Sequence, residues 1–483
     1  MEDFNTQGNT PLLGIHEDVE GAEEKQGLTS RIWNESKKLW IVVGPAIFGR
    51  ISLNTANFVT QAFAGHLGDL ELAAMSIAAS VILGFTFGLM LGMASALETL
   101  GGQAYGSKRY HMMGIYLQRS WIVLFTCAVF LTPIFLVATP ILKLIGQPDD
   151  IAVLAGTLSV WLIPNVFAMV FLLPLTRFLQ CQQKNYVQAI ACFAALVVHI
   201  FNTWLFITKL QFGVVVATII LSITWWIPVV CMLVYVTCGG CPLTWHGLSI
   251  SAFNDLWQFF KLSASSGVMM CLESWYYKVL MLLTGNLDDV TIAVDALSIC
   301  INISNWELMI PTGFFAGIGV RVANELGAGN GKNAKFATIV SVVTSLIIGF
   351  IFFLMILLFN DKIALLFTKS EQVLDNVQNL KFLLAFTILL NSIQPVLSGV
   401  AVGSGWQSTV AFVNIGSYYI IGVPFGIFLG LVFNFGIKGI WGGMICGTFV
   451  QTLILSYITS KCDWDKEARE VSNHGEKQSL IEK

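Results

Sequence analysis

The sequence predicts an all-α polytopic membrane protein whose twelve transmembrane helices form two successive six-helix halves. Three observations carry this reading: an apolar composition, charge gathered at the two ends, and landmarks that occur twice. Hydrophobic residues make up 55% of the 483 and charged residues only 11%. Residues 1–38 hold eight acids and four bases, and residues 461–483 hold six acids and five bases. The long stretch between them lacks the polar groups needed to cover a soluble surface, so it is read as embedded in a lipid bilayer.

About 20 apolar residues cross a bilayer core. Twelve such spans are expected, at 39–62, 71–98, 115–138, 152–173, 187–208, 212–237, 256–284, 292–318, 336–359, 380–403, 409–432 and 437–460. This divides the chain into a tail at 1–38, a first bundle at 39–237, a linker at 238–255, a second bundle at 256–460 and a tail at 461–483. The first tail is polar and acidic, which does not fit a secretory signal, and both tails are expected to be disordered and cytosolic. Loops on the even-numbered side, with their flanks, carry nine Lys and Arg residues against six on the other, which agrees with cytosolic termini.

The duplication shows in four landmarks. Gly65 matches Gly285 at an offset of 220, Gly106 matches Gly327 at 221, Pro174 matches Pro395 at 221, and Phe212-Gly213 matches Phe435-Gly436 at 223. A slowly drifting offset marks a repeated unit, and repeated hydrophobic halves point to transport, with a site at their interface.

Ionisable residues inside spans are functional candidates by default. Glu273 lies mid-span in CLESWYYK, with Tyr276 and Tyr277 at i+3 and i+4 on its face. A carboxyl group in apolar and phenolic surroundings can take up and release a proton, which a proton-coupled carrier needs. Lys278 falls off that face and is expected to snorkel outward. Glu307 follows Trp306, and Pro311 four residues on lets the helix bend beside the acid. A functional role and a helix-to-helix hydrogen bond stand level for Glu307.

The first span carries a polar stripe, Arg50, Asn54, Asn57 and Gln61, at +4, +7 and +11. It lines either a water-filled cavity or a packed polar seam, and the Arg favours the cavity. Span five offers His199 and Asn202, and span ten offers Asn391 and Gln394. A lone His such as His199 is more often a satisfied core residue. Tyr276, Tyr277, Trp306 and Trp406 are candidates for stacking on a flat substrate. The ten cysteines read as reduced thiols, and Cys238-Gly-Gly-Cys241 alone is a weak metal or redox signal. No nucleotide-binding loop or HExxH motif occurs, so no cofactor, metal or enzymatic chemistry is expected, and uphill movement must draw on an ion gradient. No dense basic patch suggests nucleic acid.

GGQAYGSKRY at 101–110, CLESWYY at 271–277, VRVANELGAGNGK at 320–332, LSGVAVGSGWQ at 397–407 and KCDWDKEA at 461–468 resemble plant multidrug and toxic compound extrusion (MATE) transporters over 30–468. The resemblance implies two six-helix bundles related by a pseudo-two-fold axis around a central cavity, and exchange of organic compounds for H⁺ or Na⁺. It implies that Glu273 couples cations. Many plant members carry Asp where this chain has Asn391, and Asn does not titrate. The surrounding text is similar to a flavonoid-transporter subgroup, which implies vacuolar loading of glycosylated phenolics; a monomer is expected.

The leading expectation is a proton-coupled antiporter for organic secondary metabolites or alkaloid-like xenobiotics. The alternatives are a vacuolar anion channel using the Arg50 stripe and, more distantly, a lipid flippase. Glu476, Leu480 and Ile481 have the acid-xxx-Leu-Ile layout of a sorting signal, which favours the vacuolar membrane over the plasma membrane.

Overall fold

A computed structural model describes residues 27–284, 290–368 and 370–481; side chains at 280–284, 290–295 and 474–481 lie outside this description. No strand occurs among the described residues. The first half comprises α1 (Leu28–Leu67), α2 (Asp69–Gly106), α3 (Tyr110–Leu136), the short α4 (Ala138–Leu144), α5 (Asp149–Trp161), α6 (Ile163–Cys181), α7 (Asn185–Lys209) and α8 (Val214–Gly240). The second comprises α9 (Leu256–Thr284), α10 (Val290–Gly327), α11 (Gly331–Ala364), α12 (Glu371–Asn391), α13 (Gln394–Ser404), α14 (Gln407–Val432) and α15 (Gly436–Lys461), and α16 (Trp464–Ile481) follows.

Ten spans are long and apolar enough to cross a bilayer by length and composition, counting α12 with α13 as one. The helices α9 and α10, which flank residues 285–289, supply the other two of a twelve-span arrangement. Two repeat landmarks keep equivalent places, whereas Pro174 lies inside α6 and its match Pro395 opens α13. Gly106 and Gly327 end α2 and α10, and Gly213 and Gly436 stand at the starts of α8 and α15. The match of Gly65 to Gly285 falls partly outside the described residues.

Three features differ from the sequence reading. Residues 28–38, expected in a disordered tail, form the first turns of α1, anchored by Glu35 against Arg321. Residues from 463 onward were also expected to be disordered, but α16 docks through Trp464 and Ala468, which are 5% and 1% exposed. Spans four and ten are each broken. Pro164 opens α6 and Pro395 opens α13, because a proline suits the first helical turn and cannot continue the preceding helix.

The halves meet by backbone approach at the end of the molecule that carries Gly106 and Gly327. A Cβ at Gly106 would collide with the Asn324 carbonyl oxygen, and one at Gly327 would collide with the Gln103 carbonyl oxygen. At Gly102 it would stand 2.6 Å from the Ala323 side chain. Small residues at crossings give the close packing that holds helices together in lipid. Hydrogen bonds reinforce the seam: Thr99 Oγ1 donates to the Val402 carbonyl at 2.6 Å, and Gln407 Nε2 donates to Thr99 Oγ1 at 2.8 Å.

Gly106→Val should force these helix ends apart, at a cost of about 1–3 kcal/mol for overpacking. Cys181 is fully buried beside this seam, and Asn324 Nδ2 donates to its carbonyl at 3.3 Å. Maleimide labelling of Cys181, read by peptide mass spectrometry, should rise several-fold in the variant. Unchanged labelling with an unchanged melting temperature would contradict this account of the seam.

Candidate functional site

The polar stripe of α1 faces inward. Arg50, Asn54, Asn57 and Gln61 all line a cavity of about 300 Å³ within the first half. The opposite wall comes from α2, α6, α7 and α8, with Phe87, Leu172, Arg177, Gln188 and Trp225. The α2 segment Ala78–Leu83 is wound as a π-helix, and three of its residues, Ala79, Ser80 and Leu83, line the cavity. Such wider turns redirect side chains within a continuous helix and often mark functional sites. Phe87 and Trp225 meet edge to face at 6.2 Å.

A buried ion pair stands behind the cavity. Arg177 Nη1 lies 2.8 Å from Glu98 Oε2, and both side chains are almost fully enclosed. Arg177 Nη1 also donates to Gln180 Oε1 at 3.0 Å. Its Nη2 is buried with no hydrogen-bond partner. Neither Glu98 nor Arg177 stood among the sequence candidates. Glu98 closes the expected span 71–98 and Arg177 lies beyond the expected span 152–173, whereas α2 runs on to Gly106 and α6 to Cys181.

The second half holds a separate polar group. The Glu273 carboxyl on α9 is half-buried with Gln394 as its hydrogen-bond neighbour. One turn on, the Tyr277 hydroxyl donates to Asn391 Oδ1 at 3.3 Å and has Thr448 as a further hydrogen-bond neighbour. Asn391 ends α12 and Gln394 starts α13, so the helix break presents both amides to α9. Glu307 is 5% exposed and its Oε2 has no partner. Tyr277 is the electrostatic neighbour of both Glu273 and Glu307. Among the described residues neither carboxylate forms an ion pair. Pro311 removes the amide that would bond the Glu307 carbonyl, and Thr312 Oγ1 donates to the carbonyls of Leu308 and Met309 at 2.9 and 3.0 Å.

Other candidates lie elsewhere. His199 is fully buried, with Nδ1 at 2.8 Å from Thr224 Oγ1 and Nε2 at 3.0 Å from Thr60 Oγ1, a core histidine satisfied by threonines. Asn202, half-buried on α7, is not part of the cavity lining. Tyr276 is fully buried, stacks on Tyr418 at 4.3 Å and donates to the Met444 carbonyl at 3.1 Å, so it packs the second half. Trp306 is 44% exposed and meets Phe58 of α1 edge to face at 6.4 Å. Trp406 Nε1 donates to Glu467 Oε1 of α16 at 2.9 Å, far along the chain from the stripe. Lys278 is exposed, and its Nζ lies 3.9 Å from where a Cβ on Gly84 of α2 would stand. No group of three His, Cys, Asp or Glu suited to a metal occurs among the described residues.

The two halves predict different stability effects. Arg177→Met leaves the Glu98 carboxylate buried without its cation, which should cost about 3–5 kcal/mol, and Glu98→Gln in the same chain should restore most of it. Glu273→Gln breaks no ion pair and should move the melting temperature little. Thermal unfolding of the three variants in detergent checks this; a Glu273→Gln loss as large as that of Arg177→Met would refute it.

Comparison with known proteins agrees with this architecture. The MatE family matches residues 45–205 and 266–428, one block in each half. The chain is similar to Protein DETOXIFICATION 27 of Arabidopsis thaliana, 62% identical over 451 residues and covering 93% of each chain. It is 58% identical to Protein DETOXIFICATION 28 of the same plant over 461 residues, covering 95% of this chain and 93% of that one. Its fold superposes on the crystal structure of the eukaryotic MATE transporter AtDTX14 with a TM-score of 0.86 at 33% identity, covering 92% of this chain and 99% of that one. At 17% identity the fold is shared with the Vibrio cholerae MATE transporter VcmN in its bent form, TM-score 0.77, covering 91% of this chain and 98% of that one. The chain belongs to the MatE family, and it is a membrane transporter of that family.

Proposed function

We propose that the protein is a proton-coupled antiporter that moves organic secondary metabolites, such as flavonoid or other phenolic glycosides and alkaloid-like xenobiotics, out of the cytosol. The observation that carries this reading is the pair of carboxylates in the second half. Glu273 and Glu307 stand around Tyr277 with no cation beside them among the described residues. An intramembrane carboxylate held permanently by Arg or Lys is locked in its charged form, whereas one flanked by amides and phenols can exchange a proton. Asn391 supplies a hydrogen-bond acceptor and no titrating group.

The orientation follows from charge. Lys108, Arg109, Lys184, Lys332 and Lys335 cluster at the end where Gly106 and Gly327 meet, and excess Lys and Arg mark the cytosolic side. On this reading the tight seam closes the cytosolic side. The vacuolar membrane fits best, because an acidic lumen would drive metabolite in as protons leave. A second reading, an anion channel, is favoured by one observation: the cavity is lined by two arginines and no acid.

The test is uptake into proteoliposomes with an imposed pH gradient in sodium-free buffer, using a flavonoid glycoside, an alkaloid, citrate and chloride. Saturable, gradient-dependent uptake of an organic compound is expected, and Glu273→Gln should abolish it while the protein stays folded. Normal pH-dependent uptake by that variant would remove Glu273 from the coupling role, and chloride current without organic substrate would establish the channel. For location, a fluorescent fusion at the N-terminus should label the vacuolar membrane. Changing Leu480 and Ile481, on α16, to Ala should redirect it to the plasma membrane. Plasma-membrane labelling by both fusions would refute the vacuolar assignment.

A further inference from the structure

The cavity of the first half has cations in its wall and no carboxylate among its lining residues. Two guanidinium groups, Arg50 and Arg177, line it. Glu98 answers only one edge of Arg177, at 2.8 Å. Arg177 is 2% exposed, and its Nη2 is buried with no partner. Trp225 Nε1, on the same wall, is also buried without a partner. Arg50 has no ion-pair partner among the described residues. A third cation stands close by: Lys278, reaching across from the second half, sets its Nζ against Gly84, itself part of the lining.

A wall that carries two guanidinium groups and no carboxylate favours a ligand that brings the negative charge itself. Guanidinium groups bind planar oxyanions through paired, charge-assisted hydrogen bonds, which are stronger than neutral ones. The rest of the wall is apolar and aromatic, with Phe87 and Trp225 edge to face at 6.2 Å. A pocket with a few convergent polar groups on an apolar wall selects an amphipathic small molecule. A volume of about 300 Å³ has room for one or two fused rings.

We propose that this cavity is an organic-anion site, in which Arg50 and Arg177 take a carboxylate, sulfate or sulfonate while Phe87 and Trp225 cover an aromatic ring. The inference rests on the transport reading above and narrows its substrate to amphipathic aromatic acids. The Glu98–Arg177 pair keeps Arg177 from swinging out of the wall, and the cavity amides adapt to either end of the oxyanion, because Asn and Gln both donate and accept.

The experiment is calorimetric titration of the protein in lipid nanodiscs, with no pH gradient. The probes are 1-naphthoate and its uncharged isostere 1-naphthamide, with chloride as a competitor. Naphthoate should bind, and naphthamide should bind about tenfold or more weakly. Arg50→Gln should bring the two probes level, and because binding is read with no pH gradient the result stands apart from the coupling assignment. Equal binding of acid and amide to the unaltered protein overturns the proposal, whether or not the Arg50 variant folds. So does an acid preference that survives in a folded Arg50→Gln, or displacement of naphthoate by chloride at low millimolar concentration, which would make the cavity an inorganic-anion site.

Discussion

The buried pair of Glu98 and Arg177 sets the geometry from which the rest follows. An isolated ion in a low-dielectric interior costs several kcal/mol, so each side chain is tied to the other at 2.8 Å. The pair joins α2 to α6 behind the cavity. The second carboxylate oxygen presses on α10: a Cβ at Gly319 would collide with Glu98 Oε1. Gly319 is therefore the residue that lets the opposite half approach. A few residues further along the same two helices, Gly102 and Gly106 meet Ala323 and Asn324. One ion pair thus holds Arg177 in the cavity wall and stands at the start of the seam that joins the halves.

The sequence exposed whatever is periodic along one helix. Arg50, Asn54, Asn57 and Gln61 could be read as a face because helical spacing is local, and all four line the cavity. The repeat offsets likewise predicted that Gly106 and Gly327 occupy equivalent places, and the two helix ends pack against each other. Hydropathy, by contrast, reports where a chain is apolar and not where its helix stops. Glu98 and Arg177 were lost for that reason, since α2 and α6 continue past their apolar stretches to Gly106 and Cys181. Adjacent aromatic residues were lost for another. Tyr276 and Tyr277 differ by about 100° around α9. That turn sends the first into a stack with Tyr418 and the second to Asn391. Only the packing of α12, α14 and α15 decides between them. The helical tail after residue 463 was hidden because its composition is polar, while its order comes from docking Trp464 and Ala468.

Two polar centres in different halves have to communicate if exchange is to be coupled, and α9 is the element they share. Its Glu273 faces Gln394 of the second half. The next residue, Ser274, packs against Gly88 of α2, with 3.5 Å from its Oγ to the position of a Cβ there. Trp275 stacks on Phe85 of α2 at 5.5 Å. Lys278 reaches Gly84, and Gly92 sits so close to the Ser266 carbonyl that a Cβ would stand 2.7 Å away. On its other side α9 is held by Asn414 Nδ2 to the Met269 carbonyl at 3.2 Å and by the Tyr419 hydroxyl to the Leu272 carbonyl at 2.9 Å. A helix gripped by backbone contact on one side and by hydrogen bonds on the other cannot slide against one half alone. If Glu273 is the coupling carboxylate, a change in its hold on α13 would be felt by α9, which packs on α2, the helix that supplies both the cavity wall and Glu98. On the proposed antiport reading, the contact of α9 with α2 is the packed element that joins the carboxylates of the second half to the cavity wall of the first.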